Sequence, residues 1–349
     1  MGWVLLFILS RIYQTPLLLS AYKAFKYIIH VSTSTSELYR LCNSTIATSR
    51  QLEYEGTDEK ENLVTETESI SVPKDIVYRI DKSIFYSTQL VQEKLQLTET
   101  NCHINNVLKA IVTKKQFPRQ SIDTPAAHVL AKSLDRIYQS NMLLNTVEEL
   151  VKTKYDAAND LHEEKLLKLW SEMMPDTELE SRITKQWVEI GFQGNDPATD
   201  FRGMGIQGLN DLLYFIQTHA NHALSCLQHA SHPVYWYPYA IVGINITKFA
   251  YQTLESKKLQ MYLFQYGTDL ATFQEFYCYL FYKFNQLWIT HQPQLTVMEF
   301  EAKFQEFKMQ IEKELVQEKV MPLSKLLIQL EQEKWAATQQ KSGTGNKDE

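Results

Sequence analysis

Apolar residues spaced three or four positions apart recur through the second half of the chain, and this spacing restricts that half to α-helices. The stripes are Leu166, Leu169, Trp170 and Met173; Leu209, Leu212, Leu213 and Ile216; Phe273, Phe276, Leu280, Phe284, Leu287 and Trp288; and Phe304, Phe307, Ile311 and Leu315. The two-residue alternation that is typical of half-buried strands does not occur in the sequence. The sequence therefore predicts an all-α protein.

Two more helices are predicted from their boundaries and composition. The capping-box spacing of Thr177 and Glu180 predicts a helix that ends at Gly191. Its inward face would consist of Leu179, Ile183, Trp187 and Ile190. Residues 239–251 are apolar nearly all round, which predicts the central helix of the domain.

Four regions are expected along the chain. Residues 1–50 form an apolar, membrane-seeking arm with its linker, and residues 75–155 form a helical region. Residues 160–321 form the main helical domain, and residues 322–349 form a C-terminal helix with a polar tail. Residues 53–71 are rich in Ser, Thr and Glu, which is typical of a linker or a mobile loop.

Composition argues against a nucleic-acid partner. The formal net charge is −6, and 35 Lys and Arg residues are scattered among 41 Asp and Glu residues, with no basic stripe of the kind that neutralises nucleic-acid phosphates. The cysteines are far apart and form no CxxC pair: Cys42, Cys102, Cys226 and Cys278. Such sparse cysteines fit a reducing compartment. We therefore expect a cytoplasmic protein.

The N-terminal arm is predicted to contact a membrane without crossing it. Residues 3–9 are continuously apolar, but Arg11 interrupts the run well before the roughly 20 apolar residues that a spanning helix needs. Thr15 as N-cap and Pro16 at the first position then predict the start of a helix.

That helix is predicted to be amphipathic. Its apolar face would hold Leu18, Tyr22, Phe25 and Ile29, and its opposite face Lys23 and Lys26. A helix with an apolar face and a cationic back lies in a lipid headgroup layer, so an organelle membrane is a candidate partner through residues 3–29. A helix docked on the protein's own core explains the same pattern, and this alternative stays open.

Residues 191–205, here called the arginine segment, form an irregular stretch between predicted helices. Four glycines and Pro197 fix an unusual backbone path around a single cation, Arg202. Binding residues concentrate in loops that rigid helices hold, so Arg202 is the candidate functional residue. Asp196 and Asp200 are expected to shape the segment, and one or the other to hold the guanidinium before docking. A purely structural role, in which Arg202 only ties the segment to those acids, explains the same residues.

Two further patterns suggest ligand sites that their surroundings do not support. Residues 203–208 match GxGxxG, but no strand precedes them and no acidic residue follows about 20 positions on, as a dinucleotide site requires. The run from His219 to His232 includes Cys226 and has metal-capable spacing. No acidic general base lies within it, so a polar helix surface explains the run better than a zinc site does. HExxH and GxSxG motifs are also absent from the sequence.

The sequence around Arg202 resembles the ELMO domain. The resemblance rests on Trp187-Val188-Glu189-Ile190-Gly191-Phe192-Gln193-Gly194, Asp196-Pro197, Asp200-Phe201-Arg202-Gly203 and Gly205, followed by His232-Pro233, residues 239–245 and residues 276–280. It covers about residues 160–320 and implies a multi-helix ELMO-type domain.

The resemblance also implies a function. Retention of an arginine in this segment is similar to the short ELMO domain-containing proteins, which activate GTP hydrolysis by Arf and Arf-like GTPases. Arg202 aligns with the proposed arginine finger of that family. The residues implied to form the loop scaffold and to bind the partner are Trp187, Gln193, Asp196, Pro197, Asp200, Phe201, Gly203 and Gly205.

Such an activator needs no cofactor of its own, because GTP and magnesium belong to the partner GTPase. The alternative is a non-catalytic effector or scaffold that binds an active small GTPase through the same loop. The family's association with organelle membranes favours a cytoplasmic protein that is peripheral on, or anchored to, an intracellular membrane.

Overall fold

A computed structural model describes residues 4, 8–9, 11–13, 15–45 and 71–343, with side chains up to residue 338. These residues form α-helices, short 3-10 helices and turns, with no strand among them, which confirms the all-α class. The α-helices are α1 (Pro16–Thr33), α2 (Lys74–Phe85), α3 (Val91–Gln96), α4 (Ile104–Lys114), α5 (Pro125–Lys152), α6 (Asp160–Met173), α7 (Gly205–Thr218), α8 (Ala220–Ala230), α9 (Tyr239–Glu255), α10 (Gln260–Tyr266), α11 (Leu270–Thr290), α12 (Phe300–Val316) and α13 (Leu323–Gly343).

The 3-10 helices are Pro118–Gln120, Lys185–Ile190, Pro197–Gly203 and Val297–Glu299, and residues 37–45 are also helical. The predicted linker lies outside the described residues except for residue 71, and so does the polar tail from residue 344.

The chain divides into two compact units. Unit 1 consists of residues 1–144, 260–268 and 316–318, and unit 2 of residues 145–259, 269–315 and 319–349.

The core of unit 1 combines residues that are distant in sequence. Phe264 of α10 is buried among apolar residues of α2, α4 and α5. Gln260 Nε2 donates to the carboxylate of buried Asp81 at 2.8 Å. Arg136 of α5 donates to the Val72 carbonyl at 2.8 Å and thereby fixes the chain that enters α2.

Helix α1 begins at Pro16 as predicted, but Thr15 makes no side-chain capping bond. The predicted apolar face is divided: Leu18 and Phe25 are 44% and 58% exposed, whereas Tyr22 and Ile29 are half-buried against the protein. The cause is a polar anchor, because Lys26 pairs with Glu37 at 2.7 Å and so turns its side of the helix toward the protein. Among the described residues, no helix has the length and hydropathy that crossing a membrane requires.

Unit 2 buries the stripes that the sequence predicts. In α6, Leu166, Leu169, Trp170 and Met173 are the buried residues, and the helix ends at Met173 before Pro175. Helix α9 is buried on most of its circumference and packs against α7 and α11, so it is the predicted central helix. The buried side of α12 consists of Phe304, Phe307, Ile311 and Leu315.

A buried polar cluster joins α7 and α9 in this core. The carboxylate of Asp211, which is fully buried, accepts hydrogen bonds from Gln207 Nε2 at 2.6 Å and Thr247 Oγ1 at 2.9 Å. Burial raises the pKa of Asp211 from 3.8 to about 7, because the loss of hydration outweighs these hydrogen bonds. The native core therefore favours the protonated acid.

We expect Asp211 to lower the free energy of unfolding as the pH rises from about 4 to about 7. In that range Asp211 keeps its proton in the folded protein and releases it in the unfolded chain. Its contribution to the free energy of unfolding is therefore fully present below a pH of about 4 and is lost as the pH rises to about 7. The full loss is on the order of 4 kcal/mol, of which roughly 3 kcal/mol falls between pH 5 and pH 8. Urea unfolding at pH 5 and pH 8 measures it, with Asp211→Asn as the control that cannot ionise. Equal pH dependence in the two proteins would contradict this assignment.

Candidate functional site

The arginine segment follows an irregular stretch and a short 3-10 helix. The predicted α-helix over residues 177–190 is wrong: residues 174–184 are turns and bends, and the 3-10 helix Lys185–Ile190 follows them. Ile183, predicted to point inward, is 64% exposed. The segment thus enters from a 3-10 helix that ends at Gly191.

Two indole groups explain why residues 174–184 do not form a helix. Trp170 Nε1 donates to the Thr177 carbonyl at 2.9 Å, and Trp187 Nε1 donates to the Arg182 carbonyl at 3.0 Å. A regular helix would use these carbonyls for its own ladder. Both indole rings are buried, so the tertiary contacts outweigh the local helical preference.

An aromatic layer supports the arginine segment from below. Trp187 and Phe201 are fully buried, and Phe192 lies between them with ring centroids 5.8 Å from Trp187 and 5.6 Å from Phe201. Tyr155 stacks on the other side of Phe201 at 5.6 Å. Because packed aromatic rings have little freedom, the backbone around Phe201 is held in one place.

Asp196 starts the 3-10 helix Pro197–Gly203. Its Oδ1 accepts a hydrogen bond from the Ala198 amide at 3.0 Å and pairs with Arg182 Nη1 at 2.9 Å. Arg182 Nε in turn pairs with Glu163 at 2.7 Å. Asp196 therefore ties the start of the turn to the body of unit 2, and Pro197 is buried at the first position of the 3-10 helix.

Asp200 closes the arginine segment on itself. Its Oδ2 accepts the amide hydrogen of Gln193 at 2.9 Å, while the Gln193 side chain is exposed. Burial raises the pKa of Asp200, and the Gln193 hydrogen bond and the nearby Arg202 lower it by less. The two acids of the segment thus organise its backbone.

Arg202 lies in the 3-10 helix Pro197–Gly203, and its side chain is exposed. Its Nε donates to the Thr199 carbonyl at 2.7 Å. Neither Asp196 nor Asp200 forms an ion pair with it, and across the described part of the chain no carboxylate oxygen lies within 4 Å of its guanidinium nitrogens. The expected holding of Arg202 by those acids is therefore wrong, and the guanidinium faces solvent.

The glycines of the arginine segment fall into two kinds. A Cβ on Gly191 or Gly205 would lie 2.2 Å and 2.4 Å from backbone atoms, and both residues have positive φ. A Cβ on Gly194 or Gly203 would meet nothing within 4 Å. The fold requires the first pair and leaves open space beside the second.

The GxGxxG pattern starts helix α7 but leaves no room for a phosphate. The Ile206 amide donates to the Thr153 carbonyl at 2.8 Å, and Gly205 to Leu209 are buried. The preceding element is the 3-10 helix Pro197–Gly203. The first turn of α7 is thus covered by the protein's own chain.

The histidine-rich run is divided between α8 and the residues that flank it. His219 Nε2 bonds to Glu275 at 2.7 Å, His229 Nδ1 contacts Asn285 at 3.1 Å, and His232 stacks on Tyr235 at 3.7 Å. Over the part of the chain that the structure describes, no three metal-capable side chains come together. Each of these histidines has a structural contact of its own.

Comparison with known proteins identifies this helical unit. The profile of the ELMO/CED-12 family matches residues 145–304. The chain is 39% identical over 221 residues to ELMO domain-containing protein 2 of Mus musculus, an alignment that covers 62% of this chain and 74% of the relative. This chain belongs to the ELMO/CED-12 family.

Other ELMO proteins are similar over more of the chain. ELMO domain-containing protein 1 of Pongo abelii is 35% identical over 317 residues, covering 84% of this chain and 88% of the relative. ELMO domain-containing protein B of Dictyostelium discoideum is 32% identical over 292 residues, covering 83% and 93%. No solved structure matches the chain significantly. The ELMO family is associated with small-GTPase signalling.

Three residues that support the arginine segment are not predicted from the sequence: Tyr155, Glu163 and Arg182. Tyr155 donates to Glu163 at 2.5 Å, and Glu163 holds Arg182, which holds Asp196. The spacing of these residues fits no helical or strand period, and Arg182 falls within the stretch that the sequence predicts as helix. No pattern in the sequence links them, and only the tertiary structure brings them together.

Proposed function

We propose that this ELMO-family chain is a GTPase-activating protein for small GTPases of the Arf and Arf-like type, with Arg202 as its arginine finger. The proposal rests on one observation, the exposure of the Arg202 side chain beside a buried anchor. That side chain is exposed and has no carboxylate partner among the described residues, while Phe201 directly before it is fully buried. A finger needs both properties, since it must reach the partner's nucleotide and yet be held ready.

Activation of GTP hydrolysis requires few other groups from this chain. Negative charge on the phosphate oxygens must be stabilised in the transition state of GTP hydrolysis, and the planar guanidinium offers several fixed donors for it. Within the described residues, the terminal nitrogens of Arg202 have no protein partner, because the one bond of the side chain uses Nε. The partner GTPase supplies the nucleotide, the magnesium and the group that positions water.

The choice of Arf and Arf-like partners rests on the resemblance to the short ELMO proteins that retain this arginine. Family membership supports a connection to small GTPases, and the relatives named ELMO domain-containing proteins 1 and 2 align over most of the chain.

We also propose that the protein is cytoplasmic and peripheral on an intracellular membrane through its N-terminal arm. Helix α1 supports this role, because several of its large apolar side chains are exposed. Leu17 is 80% exposed and Ile28 is 65% exposed. An exposed apolar helix face of this kind is buried by a membrane or by a partner.

Single-turnover GTP hydrolysis by a panel of Arf and Arf-like GTPases tests the activator proposal, with a Ras-type GTPase as the control. We expect acceleration of about a thousandfold for at least one panel member and none for the control. GTP-dependent binding is measured in parallel. Binding without acceleration would replace the activator with the effector or scaffold, and absence of both would remove small Arf-type partners altogether.

A further inference from the structure

A pocket of about 450 Å³ lies within unit 1, between α1 and the ends of α2 and α4. Its described lining includes the lysines Lys23, Lys26, Lys114 and Lys115. Against these four ammonium groups the same lining holds a single carboxylate, that of Glu37. The pocket is therefore cationic in a chain whose net charge is −6.

Two of the lysines form no ion pair within the described part of the chain. Lys115 Nζ donates to the neutral oxygens of Ser87 at 3.2 Å and Gln89 at 2.7 Å, and neither Lys115 nor Lys23 forms an ion pair with another described residue. Burial lowers the pKa of Lys115, which means that its charged form is poorly solvated. An anion in the pocket would stabilise these ammonium groups.

The other two lysines each pair with one carboxylate. Lys26 pairs with Glu37 at 2.7 Å, yet burial still lowers its pKa, and Glu37 also accepts a hydrogen bond from Ser83 at 2.7 Å. Lys114 pairs with Glu93 at 2.7 Å. The donors of several side chains thus converge on one space, which suits an anion with several oxygens.

The exposed face of α1 lies beside this pocket. One stripe of exposed apolar residues runs along the helix at helical spacing: Leu17, Ala21, Ala24, Ile28 and Val31. No charged residue belongs to the stripe. Lys23 and Tyr27, at the edge of this face, also line the pocket. The apolar face and the cationic pocket are therefore continuous on one surface of unit 1.

We propose that the pocket binds the phosphorylated headgroup of an anionic membrane lipid while the exposed face of α1 lies in the acyl boundary of the same membrane. The inference rests on the membrane association proposed above and adds a ligand to it. A phosphomonoester on a lipid fits better than a free phosphate, because only the lipid places the anion next to an apolar layer. Cationic side chains at that depth gain affinity from the headgroup charge.

Vesicle co-sedimentation of the full chain tests the pocket. The vesicles are phosphatidylcholine alone, phosphatidylcholine with phosphatidylserine, and phosphatidylcholine with phosphatidylinositol bisphosphate at equal surface charge. We expect the bisphosphate vesicles to bind on the order of tenfold more tightly than the serine vesicles. The double variant Lys23→Gln/Lys115→Gln should lose that preference and keep the weaker binding to the serine vesicles.

The matched control is Lys109→Gln/Lys185→Gln, which removes the same charge from exposed lysines outside the pocket. It should bind as the wild type does. Lys23→Gln alone, at an exposed position, keeps the test valid if the double variant does not fold by circular dichroism. Leu17→Ser/Ile28→Ser should weaken binding to all vesicles, because the acyl contact is lost.

Three results would overturn the inference, and they differ in what they leave standing. Equal binding to serine and bisphosphate vesicles, or an unchanged preference in the lysine variants, would remove the headgroup pocket and keep the membrane role. Binding of soluble inositol bisphosphate as tight as that of the vesicles would make the ligand a soluble phosphate. Absence of binding to every vesicle would remove the membrane role as well.

Discussion

Arg202→Lys is expected to reduce the acceleration of GTP hydrolysis about a thousandfold while the protein remains folded. Lysine keeps the positive charge but has one compact ammonium in place of the planar fork, so it cannot donate to two phosphate oxygens in the fixed geometry that the transition state needs. Arg202→Ala should lose as much. The measurement is the single-turnover rate at a saturating concentration of the activator.

The structure indicates that this loss will not come from unfolding. Arg202 is exposed and makes one hydrogen bond, from Nε to the Thr199 carbonyl. A surface change of this kind alters the free energy of unfolding by about 0.5 kcal/mol or less. The melting temperature of each variant should therefore stay close to that of the wild type.

Lys185→Ala is the matched control for Arg202→Lys. Lys185 is another exposed cation and lies at the start of the 3-10 helix that precedes the arginine segment. Its removal should leave the hydrolysis rate unchanged within about twofold, because a finger acts by contact and not by long-range charge. Full acceleration by Arg202→Lys would rule out the finger.

The same variants separate the activator from the scaffold. An activator's arginine binds the transition state more tightly than the ground state. Arg202→Ala should then weaken the complex with a GTPase that carries GDP and aluminium fluoride far more than the complex with the GTP-bound form. Equal weakening of both complexes would indicate a binding contact without a catalytic role.

The sequence was sufficient where burial follows one local period. The stripe of α6 and the nearly continuous apolar surface of α9 are properties of single helices, so their buried sides follow from spacing alone. The position of Arg202 in a loop between helices was likewise visible, because glycine and proline interrupt the helical period there.

The sequence failed where a distant side chain decides the local structure. Residues 174–184 have helical spacing, but Trp170 and Trp187 take carbonyls of this stretch as hydrogen-bond acceptors. The rotation of α1 depends on Glu37, which lies outside the helix. Arg202 lacks the expected acidic partner, since Asp196 pairs with Arg182 and Asp200 accepts the Gln193 amide. None of these choices is encoded in a periodic pattern.

The second large effect is expected at Gly205, where alanine should destabilise unit 2 by on the order of 3 kcal/mol or more. Gly205 has a φ of 53°, and a Cβ there would lie 2.4 Å from the carbonyl oxygens of Thr153 and Val151. Both oxygens belong to the backbone, and Thr153 also accepts the Ile206 amide at 2.8 Å. The clash therefore requires a shift of the main chain where α7 begins.

Gly203→Ala is the matched control for Gly205→Ala. Sequence reasoning assigned both glycines to the loop scaffold, but a Cβ on Gly203 meets nothing within 4 Å and needs no positive φ. Its stability should change by less than about 1 kcal/mol. Gly203 is exposed and directly follows Arg202, so the added methyl group contacts nothing until a partner docks there. We therefore expect slower GTP hydrolysis by the partner without a lower melting temperature of the variant.

Thermal and urea unfolding of the two variants, followed by the hydrolysis assay, separates the roles of the two glycines. Gly205→Ala should unfold well below the wild type and lose activity through the loss of folded protein. Gly203→Ala should unfold with the wild type and lose activity as a folded protein. Wild-type stability of Gly205→Ala would show that α7 can begin without this close backbone contact, and full activity of Gly203→Ala would place the partner away from the surface beside Arg202.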